Sequence, residues 1–168
     1  MYKARKGLSL AFNTQRNVML PEQSKSERDQ RGAAFHEAGH IVVAWSLGLA
    51  VGGAEIAIGG DDAKGTAEVQ TPDHLDLLEQ LAICAAGLQA QEIFDAPTHE
   101  GAGWGDYGKM VELLEDFEED EQVRMMHQGH ARASDLVASN RAMVERLATA
   151  LLDKKRLEAD EVAKLLAD

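Results

Sequence analysis

From about Glu27 to Leu49, apolar residues recur at helical spacing (Ala33, Ala34, Ile41, Ala44, Trp45, Leu47), predicting one long helix that Gly48 or Gly52-Gly53 stops. Trp45 falls on its buried stripe, and Gly39, costly inside a helix, implies that another element packs closely there. Ala54 to Ile58 and Thr66 to Gln70 alternate in strand fashion around the Gly59-Gly60-Asp61-Asp62 cluster, predicting a small antiparallel pair. Thr71-Pro72-Asp73 reads as a helix start. The stripe Leu75, Leu78, Leu81, Ala82, Ala85, Leu88 and Ile93 predicts a second core helix ending near Pro97. A glycine-rich loop from Gly101 to Gly105 leads into a third helix from about Asp106. Beyond an acidic stretch the pattern predicts one long helix from about Gln122 to Asp153 and a short one from Glu158 to Leu166. The expected fold is mainly α (α+β), one domain over residues 28 to 168 with a small sheet packed against the first helix. Residues 1 to 27, polar and without a sustained period, read as an N-terminal arm.

The 168 residues suffice for one ordinary core. Acidic residues outnumber basic ones 29 to 17, giving a net charge of -12. Nucleic acid and anionic membranes, which need basic surface, are therefore disfavoured as main partners. The longest apolar run, Ile41 to Val51, is too short to cross a bilayer, so no membrane insertion is expected, and the basic N-terminus lacks the apolar stretch of a secretory signal. A single cysteine, Cys84, excludes an internal disulfide, fits a reducing cytoplasm and reads as a small core residue.

His36-Glu37-Ala38-Gly39-His40 lies inside the first predicted helix, where residues four apart share a face. Two imidazoles so placed can hold a zinc ion, with Glu37 beside them as a base for the water that the metal activates. Catalytic zinc takes a third protein ligand. An immediate third histidine is excluded, since that pattern would need glycine at Val43 and histidine at Ser46. The residues leave Glu92, His99, Glu100 and Asp106 as candidates. Glu92 stands in an apolar helical context and could ligate or orient a histidine, while Asp106 stands where a loop enters a helix and could ligate or cap. His74, His127 and His130 read as surface residues, and the acidic run from Glu112 to Glu121 as a solvated helix end. Trp104, beside Asp106, is expected to line a substrate cleft.

The segment Ala34-Phe35-His36-Glu37-Ala38-Gly39-His40 closely resembles the zinc helix of the FtsH family of membrane-bound, ATP-dependent metalloproteases. Ala86 to Phe94 looks like that family's G-G-R-A-A-E-E-L-I-F helix, and Asn140 to Leu152 with Leu157 to Leu166 is similar to its terminal pattern, so the likeness runs over about residues 28 to 166. Its third zinc ligand is the aspartate of T-T-G-A-S-N-D-L, which aligns with Ala102 to Tyr107 and favours Asp106 over Glu92. Thr98 falls out of step with the family threonines, and bulky Trp104 stands where the family has a small residue. The resemblance implies a zinc-dependent metalloendopeptidase acting on unfolded proteins or peptides, with His36, His40 and Asp106 as zinc ligands and Glu37 as catalytic base. Neither an ATPase motif nor a membrane anchor is expected in the chain, so the peptidase would act by itself, as a homo-oligomer or with a separate ATPase. The rival reading is a non-proteolytic zinc-binding adaptor or regulatory protein; the presence of Glu37, which a purely structural site does not need, weighs against it.

Overall fold

The computed structural model describes residues 25–56, 65–70, 74–97 and 103–167. In chain order these form α1 (Lys25–Ser46), β1 (Val51–Ile56), β2 (Gly65–Val69), α2 (Leu77–Ile93), α3 (Trp104–Leu113), α4 (Glu119–Ser139), α5 (Arg141–Lys154), β3 (Arg156–Leu157) and α6 (Ala159–Ala167). The mainly helical α+β class is as expected; the arm expected over residues 1 to 27 lies almost wholly outside the described residues. None of the described helices is long and apolar enough to cross a membrane.

The main core forms where α1 meets everything else. Ala34, Phe35, Ala38, Ile41 and Val42 of α1 are buried against Ala54 and Ile56 of β1, Ala86 and Ala90 of α2, Val144, Leu147 and Leu151 of α5, and Val162 of α6. Gly39 does what its position implied. A Cβ there would lie 2.6 Å from the Ala86 carbonyl oxygen and 2.7 Å from the Ala90 Cβ, so glycine allows α1 and α2 to cross nearly backbone to backbone. The opposite face of α2 builds a second cluster, Leu81, Ala82, Cys84 and Ala85 against Met110, Leu114 and Ala133. The central helix α2 thus has two buried sides. α1 ends at Ser46, and Gly48 turns the chain at φ +83°. Asp76 caps α2, accepting the Glu79 N–H at 2.8 Å, so this helix starts beyond the expected Thr71-Pro72-Asp73, which lies outside the described residues.

The sheet has the order β2-β1-β3, all antiparallel. The pair β1–β2 runs from Val51↔Val69 to Ile56↔Gly65 with an irregularity between Val51 and Ala54. At that bulge the Gly53 N–H donates to Glu68 Oε2 at 3.1 Å. β3 was not predicted: Lys155 turns the chain at φ 67° and only Arg156 and Leu157 pair, opposite Glu55 and Ala54, too short a run for any alternation.

Two expectations are corrected. The single helix from about Gln122 to Asp153 is in fact α4 and α5, broken at Asn140, whose Nδ2 donates to the Leu136 carbonyl at 2.8 Å and so competes with the next helical turn. Trp45 is not core but 39% exposed: it lies near the face of buried Ala38 and Ile41, yet it is the last residue but one of α1, which ends at Ser46.

Candidate metal centre

One turn of α1 separates His36 from His40, so the two rings stack along one face with centroids 4.8 Å apart. α2 supplies the surroundings. His40 Nδ1 donates to the Ile83 carbonyl at 2.9 Å, and His36 Nδ1 donates to Gln91 Oε1 at 3.0 Å. With both Nδ1 atoms protonated and facing acceptors, the neutral rings turn bare Nε2 lone pairs toward one point. Gly87 makes room for this, since a Cβ on it would lie 2.4 to 2.6 Å from the His36 ring atoms.

α3 closes the constellation. Gly103 enters it in the left-handed conformation (φ 76°), which sets Asp106 in the first helical turn, where its carboxylate turns inward and does not cap the helix. Asp106 Oδ2 lies 3.1 Å from His36 Nε2 and 3.2 Å from His40 Nε2, and the two Nε2 atoms are themselves 3.1 Å apart. Asp106 Oδ1 faces Lys109 Nζ at 3.6 Å. Three ligands of a tetrahedral zinc ion with bonds of about 2.0–2.1 Å stand about 3.3 Å from one another, so the triangle fits such an ion closely. Three lone-pair donors crowded together repel each other unless a cation or a proton lies among them. Among the described residues, this is the group of three potential ligands close enough to share an ion.

The electrostatics agree with that picture. Burial alone would lower the His36 pKa, but the hydrogen bonds that the protonated ring makes to Asp106 and Gln91, with the nearby Glu37 charge, leave it raised. For Asp106, burial is outweighed by the hydrogen bonds and charges of the two histidines, which hold the carboxyl well below the usual range. Glu37 is 6% exposed, and burial raises its pKa against the opposing pull of His40 and His36. Its carboxylate lies over Gly65 at the start of β2, where a Cβ would come within 2.3 Å of Oε1.

Beside the centre runs a groove of about 680 Å³ between β2 and the helices α2 and α3, lined by Thr66, Ala67 and Val69 on one side and Ile83 and Leu113 on the other, with His40 and Asp106 also on its wall. Among the described residues β2 pairs with β1 alone. Cys84 also lines the groove; burial and the Asp106 charge push its thiol up to about 11, in keeping with a core role.

Of the candidates read from the sequence, His36, His40, Glu37 and Asp106 are brought together. Glu92 is exposed on the other side of α2 and accepts from Gln89 at 3.3 Å, and His99 and Glu100 lie outside the described residues. His74 and His127 are exposed, and His130 lies against Gln89. Trp104 is 75% exposed. Sequence reasoning missed Gln91, Gly87 and Gly65; a polar residue and a glycine inside an apolar helix were the available signals for the first two.

Among curated proteins, the chain is similar to the ATP-dependent zinc metalloprotease FtsH 4 of Sorangium cellulosum (strain So ce56), 27% identical over 186 aligned positions that cover 82% of this chain. The chain spans 29% of the length of that protein. No protein-family model matches the chain.

Proposed function

We propose that this chain is a zinc-dependent metalloendopeptidase that hydrolyses peptide bonds of unfolded proteins or peptides, with His36, His40 and Asp106 as metal ligands and Glu37 as catalytic base. The observation that carries the reading is the convergence of three lone-pair atoms 3.1 to 3.2 Å apart next to a buried glutamate. Zinc held by His36, His40 and Asp106 would supply Lewis-acid polarisation of the scissile carbonyl and of the attacking water. Glu37 takes the proton of that water and delivers it to the departing amide nitrogen. Its raised pKa suits both halves of the transfer, since a carboxylate that is too acidic is a poor base.

The unpaired side of β2 gives the groove a row of backbone groups with which an extended peptide can pair, binding main chain with little regard to sequence. Such a peptide must be unfolded to fit. The similar protein is named ATP-dependent, which supports a role for a separate ATPase as partner, or for a homo-oligomer, in bringing unfolded substrate to the groove.

The deciding experiment is cleavage of casein, without ATP, by the zinc-loaded wild type and by Glu37→Gln. Turnover by the wild type with an about 10²- to 10⁴-fold loss in the variant, zinc content unchanged, is the expected result. Zinc bound at one per chain with no turnover by the wild type, with or without an unfoldase, would replace this reading with a zinc-holding adaptor.

A further inference from the structure

Gln91 sits in the last turn of α2, beside buried Ala90, and is 3% exposed, yet both ends of its carboxamide are used. One end lies 2.8 Å from the Pro97 carbonyl oxygen. A carbonyl only accepts, so that end is the amide nitrogen and the oxygen faces His36 Nδ1 at 3.0 Å. An oxygen only accepts as well, so Nδ1 carries the proton, and a neutral imidazole then has its lone pair on Nε2. The direction of one amide is thereby transmitted, without remaining freedom, to the atom that faces His40 and Asp106.

We infer that Gln91 is a positioning residue that fixes the metal-binding tautomer of His36 and, through the same amide, ties this ligand to the chain leading from α2 toward Asp106. The inference rests on the reading of His36 as a metal ligand. His40 is oriented by a backbone carbonyl, Ile83, that every sequence would provide, whereas His36 depends on a side chain. The second bond is equally built in. A Cβ on Gly32 would stand 2.0 Å from the Pro97 oxygen and 3.1 Å from Gln91 Nε2, so α1 lies pressed against the Gln91–Pro97 contact. A carboxylate at this position would accept from His36 but set a second acceptor against Pro97; glutamine alone among side chains of this length accepts toward one and donates toward the other.

The test compares the full-length wild type with Gln91→Met, which keeps length and removes both bonds, and Gln91→Glu, which keeps the acceptor toward His36. Zinc affinity is measured by competition with a chromophoric chelator. The tautomer is read separately from the imidazole ¹⁵N–¹H spectrum of the metal-free protein, at a pH where the rings are neutral. We expect Gln91→Met to bind zinc about 10–100-fold more weakly, with His36 a mixture of tautomers, and Gln91→Glu to restore the Nδ1–H form and most of the affinity. A folded Gln91→Met protein with wild-type affinity and tautomer, or a Gln91→Glu protein no better than Gln91→Met, overturns the inference. If Gln91→Met does not fold, Gln91→Glu decides, and a His36 found there as the Nε2–H form overturns it. Because neither the spectrum nor the chelator competition needs substrate, a wild type that binds zinc with His36 as Nδ1–H but shows no turnover would sink the proposed function and leave the role of Gln91 standing.

Discussion

The two halves of the centre are built differently. His36 and His40 stand on a 22-residue helix buried against α2, β1 and α5, with every ring nitrogen pointing away from the centre already hydrogen-bonded. Asp106 stands on a ten-residue helix that buries Met110 alone within its span and leaves Trp104, Tyr107 and Val111 exposed. One half is fixed by packing before any ligand arrives. The other is anchored by the small cluster around Met110 and Leu114, while its carboxylate faces the two histidine Nε2 atoms. Under the proposed function, a metal bound here would meet a rigid pair and would itself order the looser third ligand, because binding free energy is then spent on that element.

That contrast can be broken most severely at Asp106. Asp106→Ala is expected to weaken zinc binding by more than the ~10–100-fold typical of residues that only support a ligand, while thermal unfolding of the metal-free protein barely moves. Equal losses in both would show that α3 is as integral as α1. Gly87→Ala attacks the fixed half: its Cβ would enter the His36 ring, so stability should fall by about 1–3 kcal/mol together with zinc affinity, as chelator competition and thermal denaturation would report.

A smaller effect follows from pH. Zinc needs His36 neutral, and its pKa is raised, so protons compete in the range below that raised value; affinity should fall about tenfold per pH unit there and level off above it, which zinc titrations at stepped pH would trace. If Glu37 is the base of the proposed reaction it must be ionised, so the acid limb of the rate should lie above the ordinary glutamate range. The smallest change expected is at Trp104: Trp104→Ser, at a site 75% exposed, should shift stability by no more than about 0.5 kcal/mol, and a larger shift in thermal unfolding would mean that the outer face of α3 supports the fold.

The sequence made one half of the centre far more legible than the other. His36 and His40 announce their geometry because helical spacing alone puts them on one face. Asp106 came forward from four candidates through resemblance, since no local rule states where the helix that carries it will pack. Gln91 was hidden for another reason: its meaning lies in the direction of an amide, and that depends on Pro97, six residues on, and on His36, on another helix. In the fold, periodicity carried α1 and the β1–β2 pair. It ran straight through Asn140, where a side-chain bond to Leu136 ends a helix without interrupting the apolar spacing.

Cys84 leaves one more consequence. Its sulfur lines the groove beside a cluster made only of imidazole and carboxylate donors, and with a thiol pushed up to about 11 almost none of it is ionised at neutral pH. It is the thiolate that attacks a peroxide, and imidazole and carboxylate donors do not climb the sulfur oxidation ladder. A centre of these donors should therefore keep its ligands intact under oxidants that strip metal from thiolate sites.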